Sequence, residues 1–110
     1  MDAQQLIRLE NENVLGTYAR PDFVLTRGVG SFLYDSTGKE YLDFVAGISV
    51  CAFGHADERS RKVLAEQAAK LWHCSNLYHT EPQVRLAHFL VQNTFADKVF
   101  FCNSGTEANE

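Results

Sequence analysis

The chain has 110 residues, 45% of them hydrophobic and 22% charged, with a formal net charge of −4 at pH 7. That composition is globular and argues against disorder, and with no Lys/Arg run it also argues against a nucleic-acid or anionic-membrane surface. No apolar run approaches the roughly 20 residues of a membrane span. The start, Met1-Asp2-Ala3-Gln4-Gln5, lacks the basic region of a signal peptide, and Cys51, Cys74 and Cys102 are odd in number and widely spaced. Reduced thiols in a cytoplasmic protein are the expectation.

In chain order, residues 3–11 pattern as a short amphipathic helix with Leu6, Ile7 and Leu9 on one side, broken by Asn11-Glu12-Asn13. Phe23 to Gly28 is β-rich. Phe32–Asp35 and Glu40–Phe44 flank Ser36-Thr37-Gly38-Lys39, a hairpin signal, so the early part reads as a small antiparallel sheet. Residues 46–55 are small, apolar and Gly-bracketed, without a period. Asp57 caps a predicted helix over residues 58–72, with Val63, Leu64, Ala68, Leu71 and Trp72 as its stripe. A polar loop, His73 to Thr80, precedes a second helix that opens at Glu81-Pro82 and continues through Val84, Ala87, Leu90, Val91 and Phe95. Val99 to Cys102 is an apolar run suited to a strand buried on both faces.

The last ten residues, Phe101 to Glu110, carry the most information. A strand end leads into a turn and the first turn of a helix, with Ser104 and Glu107 spaced as a capping box. Free N–H groups at such a helix start suit an anion, above all phosphate. From the residues alone a well-capped helix without a ligand is favoured over that reading. Helix, buried strand and glycine turn together predict the start of an open α/β sheet. One strand and one helical turn are not a sheet, so the chain reads as the front piece of a longer protein.

Other candidates are weaker. His55 could act as a base, but the sequence shows no partner for it, and closing a turn before a helix is its plainer role. His73, Cys74 and His79 match no common zinc spacing and lack a fourth ligand, so no metal is expected. Cys102 reads as a small residue ending a strand. No catalytic triad or carboxylate pair is present.

Asn103-Ser104-Gly105-Thr106-Glu107-Ala108-Asn109-Glu110 is similar to the signature of class III (ornithine-type) pyridoxal-phosphate aminotransferases. Tyr18-Ala19-Arg20-Pro21, Gly28-Val29-Gly30, Tyr34-Asp35, Gly38 to Phe44, Gly47-Ile48 and Gly54-His55 follow that family's order over nearly the whole chain. Ser75-Asn76-Leu77-Tyr78 with Glu81-Pro82-Gln83 most resembles the acetylornithine branch. The family's usual His-Pro pair after Gly54-His55 is replaced by Ala56-Asp57-Glu58, with little functional consequence expected.

The resemblance implies an α/β protein of fold type I, of which residues 1–50 belong to the small domain and 51–110 open the large cofactor domain. It implies pyridoxal 5'-phosphate (PLP), with Gly105 and Thr106 on its phosphate and Ser104 shaping the turn. Tyr18 falls at the substrate mouth. Ile48 falls where ornithine δ-aminotransferases resemble one another in having tyrosine, which leans toward an acylated substrate. Asn76, Leu77 and Tyr78 border the site near a dimer interface. The implied reaction moves an amino group between N-acetylornithine and 2-oxoglutarate, as in arginine biosynthesis, in a cytoplasmic homodimer. Ornithine, succinylornithine and 4-aminobutyrate are alternative donors. The Schiff-base lysine would lie beyond Glu110, so no catalytic residue is expected here and the piece alone is expected to be inactive. A non-catalytic binding or dimerisation module is the rival from another class.

Overall fold

The computed structural model covers residues 1–110 and divides into two compact units, residues 1–70 and 71–110. The first begins with α1 (Ala3–Asn13). Asp2 Oδ1 accepts from the Gln5 amide at 2.8 Å and Gln5 Oε1 accepts from the Asp2 amide at 3.1 Å, a reciprocal cap. The break predicted at Asn11 does not occur. Asn13 Nδ2 donates to the Leu9 carbonyl at 2.8 Å, and the Val14 amide donates to the Glu10 carbonyl at 2.8 Å. At a helix end the asparagine side chain joins the backbone bonding instead of competing with it.

Three antiparallel strands follow in the order β1 (Leu25–Val29), β2 (Phe32–Asp35) and β3 (Glu40–Leu42). The small antiparallel sheet is therefore present, with shifted edges. Strand β1 starts at Leu25 and carries a register irregularity between Leu25 and Arg27, and Phe23 stays outside the ladder and stacks on Tyr41 with ring centroids 4.8 Å apart. Strand β3 ends at Leu42 because Asp43 turns its carboxylate onto the Val45 and Ala46 amides.

Arg27, Tyr34 and Glu40 stand opposite one another across the three strands. The guanidinium lies 3.7 Å from the Tyr34 ring centroid and Tyr34 donates to Glu40 Oε2 at 2.7 Å. Such cross-strand rows are what stabilise a sheet with one open face. The Glu40 hydrogen bond raises the Tyr34 pKa.

Asp35 is the one buried residue, at 6% exposure. Its Oδ1 accepts from the Thr37 amide (2.8 Å), the Thr37 hydroxyl (2.7 Å) and the Lys39 amide (3.1 Å), and its Oδ2 from the Tyr41 hydroxyl (2.8 Å). One carboxylate thus shapes the whole β2–β3 turn. The Thr37 hydroxyl, ahead of the Tyr41 hydroxyl and the two amides, lowers its pKa to about 2 against the opposing effect of desolvation. A depressed carboxylate contributes stability above its unfolded pKa of about 4 and loses it as pH falls through the folded value. The stability gap between the full-length protein and its Asp35→Asn variant should therefore be constant above about pH 4 and close toward about pH 2. Urea unfolding across that range measures it, and a gap independent of pH would show that the charge of Asp35 is unimportant.

Helix α2 (Glu58–Ala68) starts at Asp57, as predicted: Asp57 Oδ2 accepts from the Ser60 amide and hydroxyl, each at 2.8 Å. It stops short of residue 72, and its apolar stripe (Val63, Leu64) is exposed.

In the second unit α3 (Glu81–Asn93) opens with Pro82 in its first turn, and α4 (Gly105–Asn109) begins at Ser104. The strand predicted over Val99 to Cys102 is not formed. A strand exists only through a ladder with a neighbour, and the sheet holds only β1, β2 and β3. Across the chain no apolar side chain is buried, and no helix is long and apolar enough to cross a membrane.

Candidate functional site

The turn from Asn103 to Glu107 is built by reciprocal capping. Ser104 Oγ accepts from the Glu107 amide at 3.2 Å and donates to Glu107 Oε2 at 2.8 Å, and the same carboxylate oxygen accepts from the Asn103 amide at 3.1 Å. The predicted box is thus present, with Asn103 in place of Ser104 as the backbone donor. It also engages the Glu107 charge, which would otherwise repel an anion. The amides of Gly105 and Thr106 and the Thr106 hydroxyl have no partner within the chain. A Cβ built on Gly105 meets nothing within 4 Å. Two amides and a hydroxyl beside open space form a donor set that fits a phosphate monoester. Cys102, read as a strand end, is half-buried, and its thiol donates to the Ser104 carbonyl at 3.5 Å.

In the first unit, Ala46, Gly47, Ile48 and Ser49 all have left-handed backbone, with φ of 49°, 59°, 57° and 67°. Each non-glycine residue there costs roughly 1–2 kcal/mol. The turn closes through Ser49 N–H to Val45 O (3.2 Å) and Cys51 N–H to Ala46 O (2.9 Å). Ile48 is 87% exposed at its tip.

His55 is not partnerless, as the sequence suggested. Its Nε2 lies 2.6 Å from Asp43 Oδ2, with side chains 18% and 7% exposed respectively. The His55 hydrogen bond, then the Ala46 and Val45 amides, lower the Asp43 pKa. Two residues twelve apart with no shared periodicity gave no signal of this pairing in the sequence. The Asp35 network was also missed, although Asp35-Ser36-Thr37-Gly38 carries the composition of an Asx-turn.

Tyr18 is exposed and lines a cleft formed by Leu6, Ile7 and Val14 with Phe23 and Leu25. Within it Arg20 Nε pairs with Glu10 Oε1 at 3.2 Å. Ile48 is not among the cleft's lining residues. Asn76, Leu77 and Tyr78 form an exposed loop in the second unit, just after Ser75 with φ of 65°. No group of three or more His, Cys, Asp or Glu side chains is placed to hold a metal ion.

Residues 16–110 match the family model described as aminotransferase class-III, and the chain belongs to that family. Family members depend on PLP and have the fold type I architecture that the signature implied. The succinylornithine transaminase of Yersinia pseudotuberculosis serotype O:1b (strain IP 31758) is 54% identical over 100 residues, covering 91% of this chain and 24% of that protein. The crystal structure of N-acetylornithine aminotransferase from Stenotrophomonas maltophilia K279a superposes with a TM-score of 0.80 at 45% identity, over 94% of this chain and 27% of that one. Acetylornithine aminotransferase from Elizabethkingia anophelis gives 0.92 at 31% identity, over 99% and 28%. The chain thus spans about a quarter of the length of the curated relatives it matches.

Proposed function

We propose that these residues act as part of a PLP-dependent transaminase that moves an amino group between an N-acylated ornithine and 2-oxoglutarate. The observation that carries the reading is the Ser104-Gly105-Thr106 turn, with its unpartnered donors, inside a chain of the class III family. In this reading the Gly105 and Thr106 amides and the Thr106 hydroxyl hold the cofactor phosphate, and Gly105 lets its oxygens approach the backbone. PLP, when bound, supplies the electron sink for the chemistry at the substrate's amine-bearing carbon. Tyr18 and Ile48 flank the substrate. An aliphatic Ile48 offers no acceptor to a free ammonium and suits a nitrogen whose charge acylation has removed.

Residues 1–50 would belong to the small domain and 51–110 to the start of the cofactor domain. A cytoplasmic homodimer, with Asn76, Leu77 and Tyr78 near its interface, goes with the same reading. N-acetylornithine is the first candidate donor, and the resemblance to succinylornithine transaminase makes the succinyl derivative the second.

The test uses the full-length polypeptide with PLP. Glutamate formation from 2-oxoglutarate is followed with N-acetylornithine, N-succinylornithine, ornithine and 4-aminobutyrate as donors. An acylated ornithine should exceed ornithine in kcat/KM by about tenfold or more, the range a single pocket contact supplies. Preference for ornithine or 4-aminobutyrate would transfer the assignment to that donor. No glutamate from any donor would end the transaminase reading.

A further inference from the structure

The 43–55 segment is a loop whose two ends meet. The Asp43 amide donates to the Ser31 carbonyl at 2.9 Å, while His55 exchanges backbone hydrogen bonds with Gly30 at 2.7 and 3.0 Å. Both ends therefore attach to the same two-residue turn between β1 and β2. The Asp43–His55 side-chain bond then ties the ends to each other. Two glycines make room for the closure. A Cβ on Gly28 would lie 2.5 Å from His55 Cβ, and one on Gly54 would lie 3.0 Å from the Gly30 carbonyl oxygen.

Between these ends sits the left-handed turn of Ala46 to Ser49. Three of its four residues carry a Cβ in a backbone region they disfavour, so the conformation persists only where the surroundings impose it. Within residues 1–110 apolar packing does not, because Ile48 and its neighbours Val45 and Val50 are exposed. What enters the turn is Asp43, whose Oδ1 accepts from the Val45 and Ala46 amides at 2.9 and 3.0 Å while Oδ2 meets His55. One carboxylate thus joins the start of the strained turn to the residue that closes the loop.

Resting on the proposed function, we propose that Asp43 and His55 are positioning residues: their side-chain bond locks the 43–55 loop and so sets where Ile48 meets the acyl group of the amine donor. They touch neither substrate nor cofactor. Their loss changes recognition of the acylated donor more than the chemistry or the binding of PLP.

The test compares the full-length PLP-loaded wild type with His55→Ala, His55→Gln and Gly28→Ala. Gln places an amide nitrogen near Nε2 and restores the donor to Asp43, whereas the alanine at 28 pushes the imidazole away. In His55→Ala and Gly28→Ala, the amides of Val45, Ala46, Ser49 and Cys51 should exchange hydrogen at least about tenfold faster. KM for the acylated donor should rise about tenfold with kcat, KM for 2-oxoglutarate and PLP content held, the pattern of lost substrate binding. His55→Gln should return both readouts toward wild type. Unchanged exchange at these amides, or equal changes for both substrates, would overturn the proposal. If His55→Ala fails to fold, His55→Phe, which keeps a ring and removes its nitrogens, decides by the same measures. If the wild type transaminates no acylated ornithine, the proposed function and the Ile48 contact both fail, and exchange alone then decides whether the lock exists.

Discussion

The isolated 110-residue chain is expected to unfold without a cooperative transition. Ordering each residue costs roughly 1–2 kcal/mol of backbone entropy, and burial of apolar surface is the main offset. No apolar side chain in this chain is buried, and Phe95 is 101% exposed. The three-stranded sheet is held by the Arg27–Tyr34–Glu40 row, the Phe23–Tyr41 stack and the Asp35 turn, not by an apolar layer packed against a helix, which such a sheet needs for independent stability. Ellipticity at helix wavelengths should fall gradually with urea, and the native chain should bind a hydrophobic dye strongly. A sharp transition with an m-value near 1 kcal/mol/M or above and no dye binding would show that the chain buries a core in another arrangement.

Gly105→Asp in the full-length protein should weaken PLP by more than about a hundredfold, and Thr106→Val by about tenfold or more. A hydrogen bond to a charged group is worth roughly 1.5–3 kcal/mol, or about one to two powers of ten in affinity. The valine removes one donor. The aspartate adds a negative charge in front of two others, in space that residues 1–110 leave open. Equilibrium dialysis of the apo-protein gives the dissociation constants. The control is pyridoxal without its phosphate, for which both variants should resemble wild type. Equal losses for the two ligands would place the phosphate elsewhere.

Much of the local structure is legible in the sequence. The β2–β3 hairpin, the Asp57 cap, the Pro82 helix start and the Ser104–Glu107 box each rest on contacts within a few residues, so composition and spacing reveal them. The family was legible too, because its signature is contiguous at Asn103 to Glu110. Element ends are less legible. Helix α1 ran past Asn11, and the Val99–Cys102 strand did not form, since one depends on where a side chain bonds and the other on a neighbour.

Elements whose hydrogen bonds close locally, and the family, follow from the order of residues alone. That Asp43 meets His55 across a loop and that residues 46–49 are left-handed emerge only from the folded chain. The physical reason is range. Caps and hairpins are selected by neighbours three or four positions away, whereas a carboxylate–imidazole bond across twelve residues and a disfavoured backbone exist only once the rest of the fold holds both ends in place.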